Sequence, residues 1–300
     1  MQGKDIRDKI LCGIIAVVLF AVLFWVSFRP REKFIMRQPV EIVIFGDSVL
    51  SEVRDEKAVP AQLQKILGQN IYNGAFGGTC AARTEPKGRL DYTRGLFCLA
   101  ELAKSVESGD FGVQQSIIMR ESNTEYFGEV IDGLDAIDFT GVGTILIQQG
   151  LNDYHAGSPL EDPENPYDEH TFIGAVRAAV RSFRKVNPEV RIVIITPTYT
   201  WYTLRGETCE EADNGGGILE DYVNAELRLA QELDLEVIDL YHDFYPHEQW
   251  EDWKLCSRDG LHPNETGLEM IIERIAEGLS RPRQAVKDRH QESTARVNGE

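Results

Sequence analysis

Short apolar runs recur along the chain at residues 40–45, 144–149, 191–196 and 235–240, with a briefer one at 71–73. Each is too short for a helix and bounded by turn residues, which predicts buried strands. Between them the apolar positions fall three or four apart. The clearest stripe is Leu96, Leu99, Leu102 and Ala103 within residues 93–106. The same spacing predicts helices over 60–67, 126–137, 172–186, 218–233 and 267–279. Strands that alternate with helices of this length predict an α/β fold, a mostly parallel sheet between helix layers.

The two ends break the pattern. Residues 10–28 form an uncharged run of 19, long enough to cross a bilayer core of about 30 Å. Trp25, Phe28 and Arg29 close the run where a signal peptide would carry small residues, so an uncleaved transmembrane signal anchor is expected. Lys4, Arg7 and Lys9 before the run balance Arg29, Arg31 and Lys33 after it, so positive charge does not set the orientation. A single first span ahead of a long domain favours the domain outside. Residues 281–300 are polar without period and read as a disordered tail. The expected organisation is a short segment at 1–9, the anchor at 10–28, a linker at 29–39, one catalytic domain at 40–280 and the tail.

Charge narrows the partners. A net charge of −18 disfavours nucleic acid and other polyanions. No metal-ligand spacing or phosphate loop appears, so neither metal nor cofactor is expected. His155, His170, His242 and His247 are scattered and read as structural or surface residues.

Four motifs carry the chemistry. Gly46-Asp47-Ser48 ends the first strand, where an open α/β sheet binds its ligands. Asn73-Gly74-Ala75-Phe76-Gly77-Gly78-Thr79 follows the second. Gly150-Leu151-Asn152-Asp153 ends the third, and its Asn152 amide can donate without ionising. Asp259-Gly260-Leu261-His262-Pro263-Asn264 places a carboxylate and an imidazole three residues apart, within one turn. Asn264 or Thr266 can cap the helix that follows. A serine, a base and a carboxylate that orients the base form the kit for acyl transfer through a serine ester. Taken singly, each motif is also an ordinary turn or cap.

The set resembles the SGNH, or GDSL-type, hydrolase family over residues 40–280, with Val49 where the usual leucine stands. The resemblance implies a flavodoxin-like three-layer sandwich. It implies Ser48 as nucleophile, His262 as base and Asp259 as its orienter. It also implies oxyanion donors from the Ser48 N–H, the Gly77 N–H and the Asn152 side chain, with Gly78 a rival for Gly77.

Loops after the third and fourth strands would shape the substrate site. Residues 154–169 are rich in Pro, Asp and Glu, and residues 198–217 hold Tyr199, Trp201 and Tyr202. These aromatics, with Asp47 and Gly78, are the expected substrate contacts, suited to a sugar ring or an acyl chain. Cys80, Cys98, Cys209 and Cys256 lie outside the span. Paired as Cys80–Cys98 and Cys209–Cys256, they would tie down two active-site loops of an outside domain; otherwise they are buried thiols.

The function expected is a membrane-anchored serine esterase, acting on O-acetyl groups of envelope or extracellular polysaccharide. A lysophospholipase or lipid esterase and an O-acyltransferase are the nearest alternatives. A non-catalytic glycan-binding module is the alternative of another class.

Overall fold

The computed structural model describes residues 39–84, 95–117 and 124–281. The expected membrane span and polar tail lie outside these residues. Among the described residues, no helix is long and apolar enough to cross a membrane.

Five strands form one parallel sheet in the order β2-β1-β3-β4-β7. They are β1 (Ile42–Gly46), β2 (Ile71–Asn73), β3 (Thr144–Gln148), β4 (Arg191–Ile195) and β7 (Glu236–Ile238). Every residue of β1 and β3 is buried, so both faces of the sheet are covered. That is why these strands read as unbroken apolar runs rather than alternating ones. On one side, helix α2 (Val59–Leu67) packs on the last helix, α10 (Glu265–Ser280). Elsewhere α3 (Leu99–Ser108) packs on α7 (Phe172–Val186), which also meets α8 (Leu219–Leu233).

Local chemistry sets the helix limits. Thr171 caps α7 by accepting from Gly174 N–H, and Asn264 caps α10 by accepting from Gly267 N–H. Helix α3 starts at Leu99, later than the apolar stripe suggests, because the Leu99 N–H is bound to the Cys80 carbonyl at 3.1 Å. The remaining elements are short. Helices α1 (Ser48–Ser51) and α6 (Leu151–Ala156) directly follow β1 and β3, α4 (Gly112–Gln115) and α5 (Phe127–Asp135) precede β3, and α9 (Trp253–Cys256) precedes α10. The loop at 198–217 contains an antiparallel hairpin, β5 (Trp201–Tyr202) with β6 (Glu207–Thr208).

Register decides where the site can form. Gly46 pairs with Gln148, so β1 and β3 end at the same level. The chain runs outward from β1 to β2 and then returns to β3 on the other side. This makes the β1–β3 boundary the switch point, where a crevice opens at the strands' carboxyl ends.

Candidate active site

Ser48 is the first residue of α1, just past the end of β1, and is half-buried. Asp47 caps that helix through its Oδ1, which accepts from Val49 N–H at 2.9 Å. Asp47 is fully buried, which pushes its carboxyl up to about 6. Its job is therefore to fix the serine's backbone; the expected contact between Asp47 and substrate is corrected by its burial.

The second histidine partner comes from the far end of the chain. Asp259 Oδ1 accepts from the N–H groups of Leu261 and His262 at 2.9 and 2.8 Å, winding residues 259–262 into one tight turn. Its Oδ2 meets His262 Nδ1 at 2.8 Å. Burial would raise the Asp259 carboxyl, but these imidazole and backbone bonds outweigh it and hold the group below its ordinary value. His262 Nε2 lies 3.2 Å from Ser48 Oγ. Serine, imidazole and carboxylate thus form one line across 214 residues of sequence.

Gly260 lets this turn sit close to the hairpin. It has φ +98°, and a Cβ there would meet the Trp201 carbonyl oxygen at 2.2 Å. Its own carbonyl accepts from Trp201 N–H at 2.9 Å, and Thr203 Oγ1 donates to the Asp259 carbonyl at 3.0 Å. The aromatic loop therefore supports the histidine turn through its backbone. Tyr199 and Trp201 are buried and pack edge to face on each other, so the structure corrects their expected contact with substrate. Tyr202 is half-buried against His155, with ring centroids 5.5 Å apart.

The expected oxyanion residues gather beside Ser48. The segment after β2 stays alongside β1 through Gly74 N–H to Ile44 O and Phe76 N–H to Gly46 O, both 2.9 Å. It is backed by a cluster of Phe76, Phe97 and Phe127, with centroids 4.8–5.3 Å apart. Gly78 sits at φ +72° in the turn. The Asn152 amide donates to Thr79 O at 3.1 Å, and its second N–H remains for a ligand. Asp153, also buried, accepts from Ala81 and Ala82 N–H and pins the end of this loop; burial pushes its carboxyl up to about 7. Gly77 lies close to Ser48, but its N–H donates to Tyr126 Oη at 2.8 Å, and that hydroxyl donates to Ser51 Oγ.

Two cavities meet here. One, of about 630 Å³, exposes Ser48 and His262 and is walled by polar and charged groups including Glu52, Arg54, Tyr126 and Arg258. The other, of about 650 Å³, has a mixed lining that includes Thr79, Ala82, Cys98 and Pro159 together with Arg83 and His170. Gly78, Asn152 and His155 belong to both. His155 is thus a wall of the site rather than a scattered histidine. Burial, then the charge of Arg205, holds it down at about 4, so it is neutral near pH 7. The sequence reading missed Glu52, Arg258 and Tyr126. Glu52, four residues after Ser48 on a helical turn, and Arg258, next to Asp259, left a positional signal, whereas Tyr126 left none.

Neither expected disulfide is present among the described residues. Cys209 Sγ lies against Thr200 N–H and Tyr241 Oη, at 3.5 and 3.8 Å. Cys256 Sγ turns to the carbonyls of Asp252 and Trp253 in its own helical turn. Cys98 is buried, which pushes its thiol up to about 12. No cluster of His, Cys, Asp and Glu among the described residues could hold a metal ion.

Residues 44–270 match the sequence profile of the GDSL-like lipase/acylhydrolase family. The chain belongs to that family. A curated relative, "GDSL esterase/lipase WDL1" of Oryza sativa subsp. japonica, is 26% identical over 136 residues, covering 44% of this chain. The chain spans about half, 51%, of that relative's length. Among solved structures, a protein from Lactobacillus plantarum superimposes with a TM-score of 0.56 at 17% identity, covering 81% of this chain and 98% of its own. A possible lipase from Chitinophaga pinensis DSM 2588 gives 0.49 at 18%, covering 79% and 96%. At such identities the likeness to the Lactobacillus protein speaks for the α/β fold and its parallel sheet.

Proposed function

We propose that this family member is a serine esterase that works through an acyl-enzyme. The observation that carries the reading is the single imidazole held between Asp259 at 2.8 Å and Ser48 Oγ at 3.2 Å. Asp259 keeps the proton of the neutral ring on Nδ1, which leaves the Nε2 lone pair for the Ser48 proton. Ser48 Oγ attacks the ester carbonyl carbon. The bond to the alcohol oxygen breaks, and that oxygen leaves with the proton from Nε2. Water, deprotonated by the same nitrogen, then releases the acid and restores Ser48.

The developing oxyanion is assigned to the Ser48 N–H, the spare N–H of Asn152 and the Gly77 N–H, once the last gives up Tyr126 Oη. Preorganised donors at this point lower the barrier most. The flavodoxin-like reading of the sandwich rests on the strand order and the covered faces. Residues 10–28 would anchor the chain in a membrane with the domain outside. An O-acyl group on an envelope or extracellular polysaccharide would then be within reach, and the polar walls of the Ser48 cavity suit a sugar better than an alkyl chain.

A fluorophosphonate probe tests the mechanism. Wild-type chain should be labelled at Ser48 and Ser48→Ala should not. A wild-type chain that resists the probe and cleaves no acetyl, butyryl or long-chain ester would favour a glycan-binding module instead. Fractionation tests the anchor: the full chain should sediment with membranes, and residues 37–300 should not.

A further inference from the structure

Glu52 and Arg258, far apart in sequence, pair with each other beside the reacting atoms. Glu52 follows α1, one turn beyond Ser48. Its Oε1 lies 3.3 Å from His262 Nε2, the nitrogen that also meets Ser48 Oγ. Its other oxygen is paired with the Arg258 guanidinium, on the residue before Asp259. Both side chains are partly exposed and line the same cavity as Ser48.

This position has a chemical meaning. In acyl transfer Nε2 hands its proton to the leaving alcohol oxygen, so that oxygen must come within hydrogen-bond distance of Nε2. A carboxylate already 3.3 Å from Nε2 therefore lies beside the leaving alcohol. It has two effects there. Unoccupied, it competes for the Nε2 proton. Occupied by a hydroxyl on the next carbon of the substrate, it is satisfied, and the proton is left to the departing oxygen. The paired guanidinium cancels its charge, which removes the advantage a cationic alcohol such as choline would have. A polyhydroxylated, uncharged alcohol answers both groups, donating to the carboxylate and accepting from the guanidinium.

We propose that Glu52, held by Arg258, is a specificity-determining residue that selects esters whose leaving alcohol carries a neighbouring hydroxyl. The proposal rests on the esterase reading above. It places the polyol part of the substrate in the Ser48 cavity and leaves the neighbouring cavity beyond Asn152 to the acyl side.

The test keeps the acyl group constant and varies the alcohol. kcat/KM is measured with the full chain for glycerol 1-acetate, ethyl acetate and acetylcholine. One hydrogen bond to a charged group corresponds to a preference of roughly 10- to 100-fold for the glycerol ester. In Glu52→Ala and Glu52→Gln, the ratio of glycerol to ethyl ester should fall about tenfold, and in Arg258→Gln the acetylcholine rate should rise relative to the glycerol ester. The ratio is independent of the fraction of folded enzyme. An unchanged ratio in both Glu52 variants, with Ser48 still labelled by fluorophosphonate, overturns this proposal alone, as does a wild-type preference for acetylcholine. Equal loss on all three esters also overturns it, because Glu52 would then act only through His262. Failure of wild-type Ser48 to label would take down the esterase reading and this proposal together.

Discussion

The molecule builds the same turn twice. At Asp259–His262, Oδ1 of the aspartate accepts the N–H groups two and three residues on, and Oδ2 meets the imidazole Nδ1 at 2.8 Å. At Asp239–His242 the pattern repeats: Oδ1 accepts from Tyr241 and His242 N–H, and Oδ2 meets Nδ1 at 2.8 Å. The difference lies at the other ring nitrogen. His262 Nε2 faces Ser48 Oγ, whereas His242 Nε2 faces Glu220 at 4.0 Å. Asp239 is further tied to β4, accepting from Thr196 Oγ1 at 3.0 Å. An oriented imidazole is thus a local product of the Asp-x-x-His turn, cheap to form anywhere. Chemistry requires delivery of that turn to a nucleophile at the switch point of the sheet.

The sharpest way to break the comparison is to remove each histidine. His262→Ala and Ser48→Ala should each lower kcat by roughly 10⁴–10⁶-fold, whereas His242→Ala should leave ester turnover close to wild type. Comparable losses in the two histidine variants would end the distinction. The aspartates come next. Asp259→Asn should cost about 10⁴ in kcat by favouring the wrong tautomer. Asp239→Asn should instead cost about 1–3 kcal/mol of stability in urea unfolding, through its lost bonds to β4 and the turn, with little effect on kcat per folded molecule. Asn152→Ala should retain probe labelling but slow turnover by about 10²–10³. Normal turnover there would remove Asn152 from the oxyanion site.

The smallest effect concerns the buried acids just beyond the ends of β1 and β3. Asp47 and Asp153 keep their protons up to about 6 and 7, while the same groups in the unfolded chain release theirs near 3.8. Between these values the unfolded state binds fewer protons. Stability from this source is therefore present at low pH and falls as pH rises from about 4 to about 7. The lowered Asp259 acts oppositely, adding stability that is lost as pH falls through its native value. The urea midpoint should accordingly decline toward neutral pH, and Asp153→Asn should flatten the upper part of that decline. A midpoint that climbs from pH 5 to 7 would contradict the buried acids' contribution.

Much of this was legible in the residues, for physical reasons. Strands buried on both faces are apolar through their middles, so β1, β3 and β4 declared themselves within a residue or two. Ser48, Asp259 and His262 were legible because each sits in a short segment whose own turn chemistry is visible. The groups that shape the cavity were not, since Tyr126 reaches it only by packing across the fold, and nothing in the chain shows that His155, near Asn152, or Arg258, beside Asp259, faces inward. Trp201 and Tyr199 misled because an aromatic in a loop near a site can face in or out. Here the hairpin's backbone bond to Gly260 turns them in. The cysteines misled because spacing in the chain says nothing of where a thiol points.

One consequence follows from how far apart the partners lie. A ribosome delivers the chain from its amino end, so Ser48 emerges 214 residues before His262. On the proposed mechanism, until the last histidine turn is made and α10 settles on α2, the serine has no base and remains an ordinary alcohol. On that mechanism, a chain that stops before His262 is silent toward esters, whatever else of the sheet it has folded.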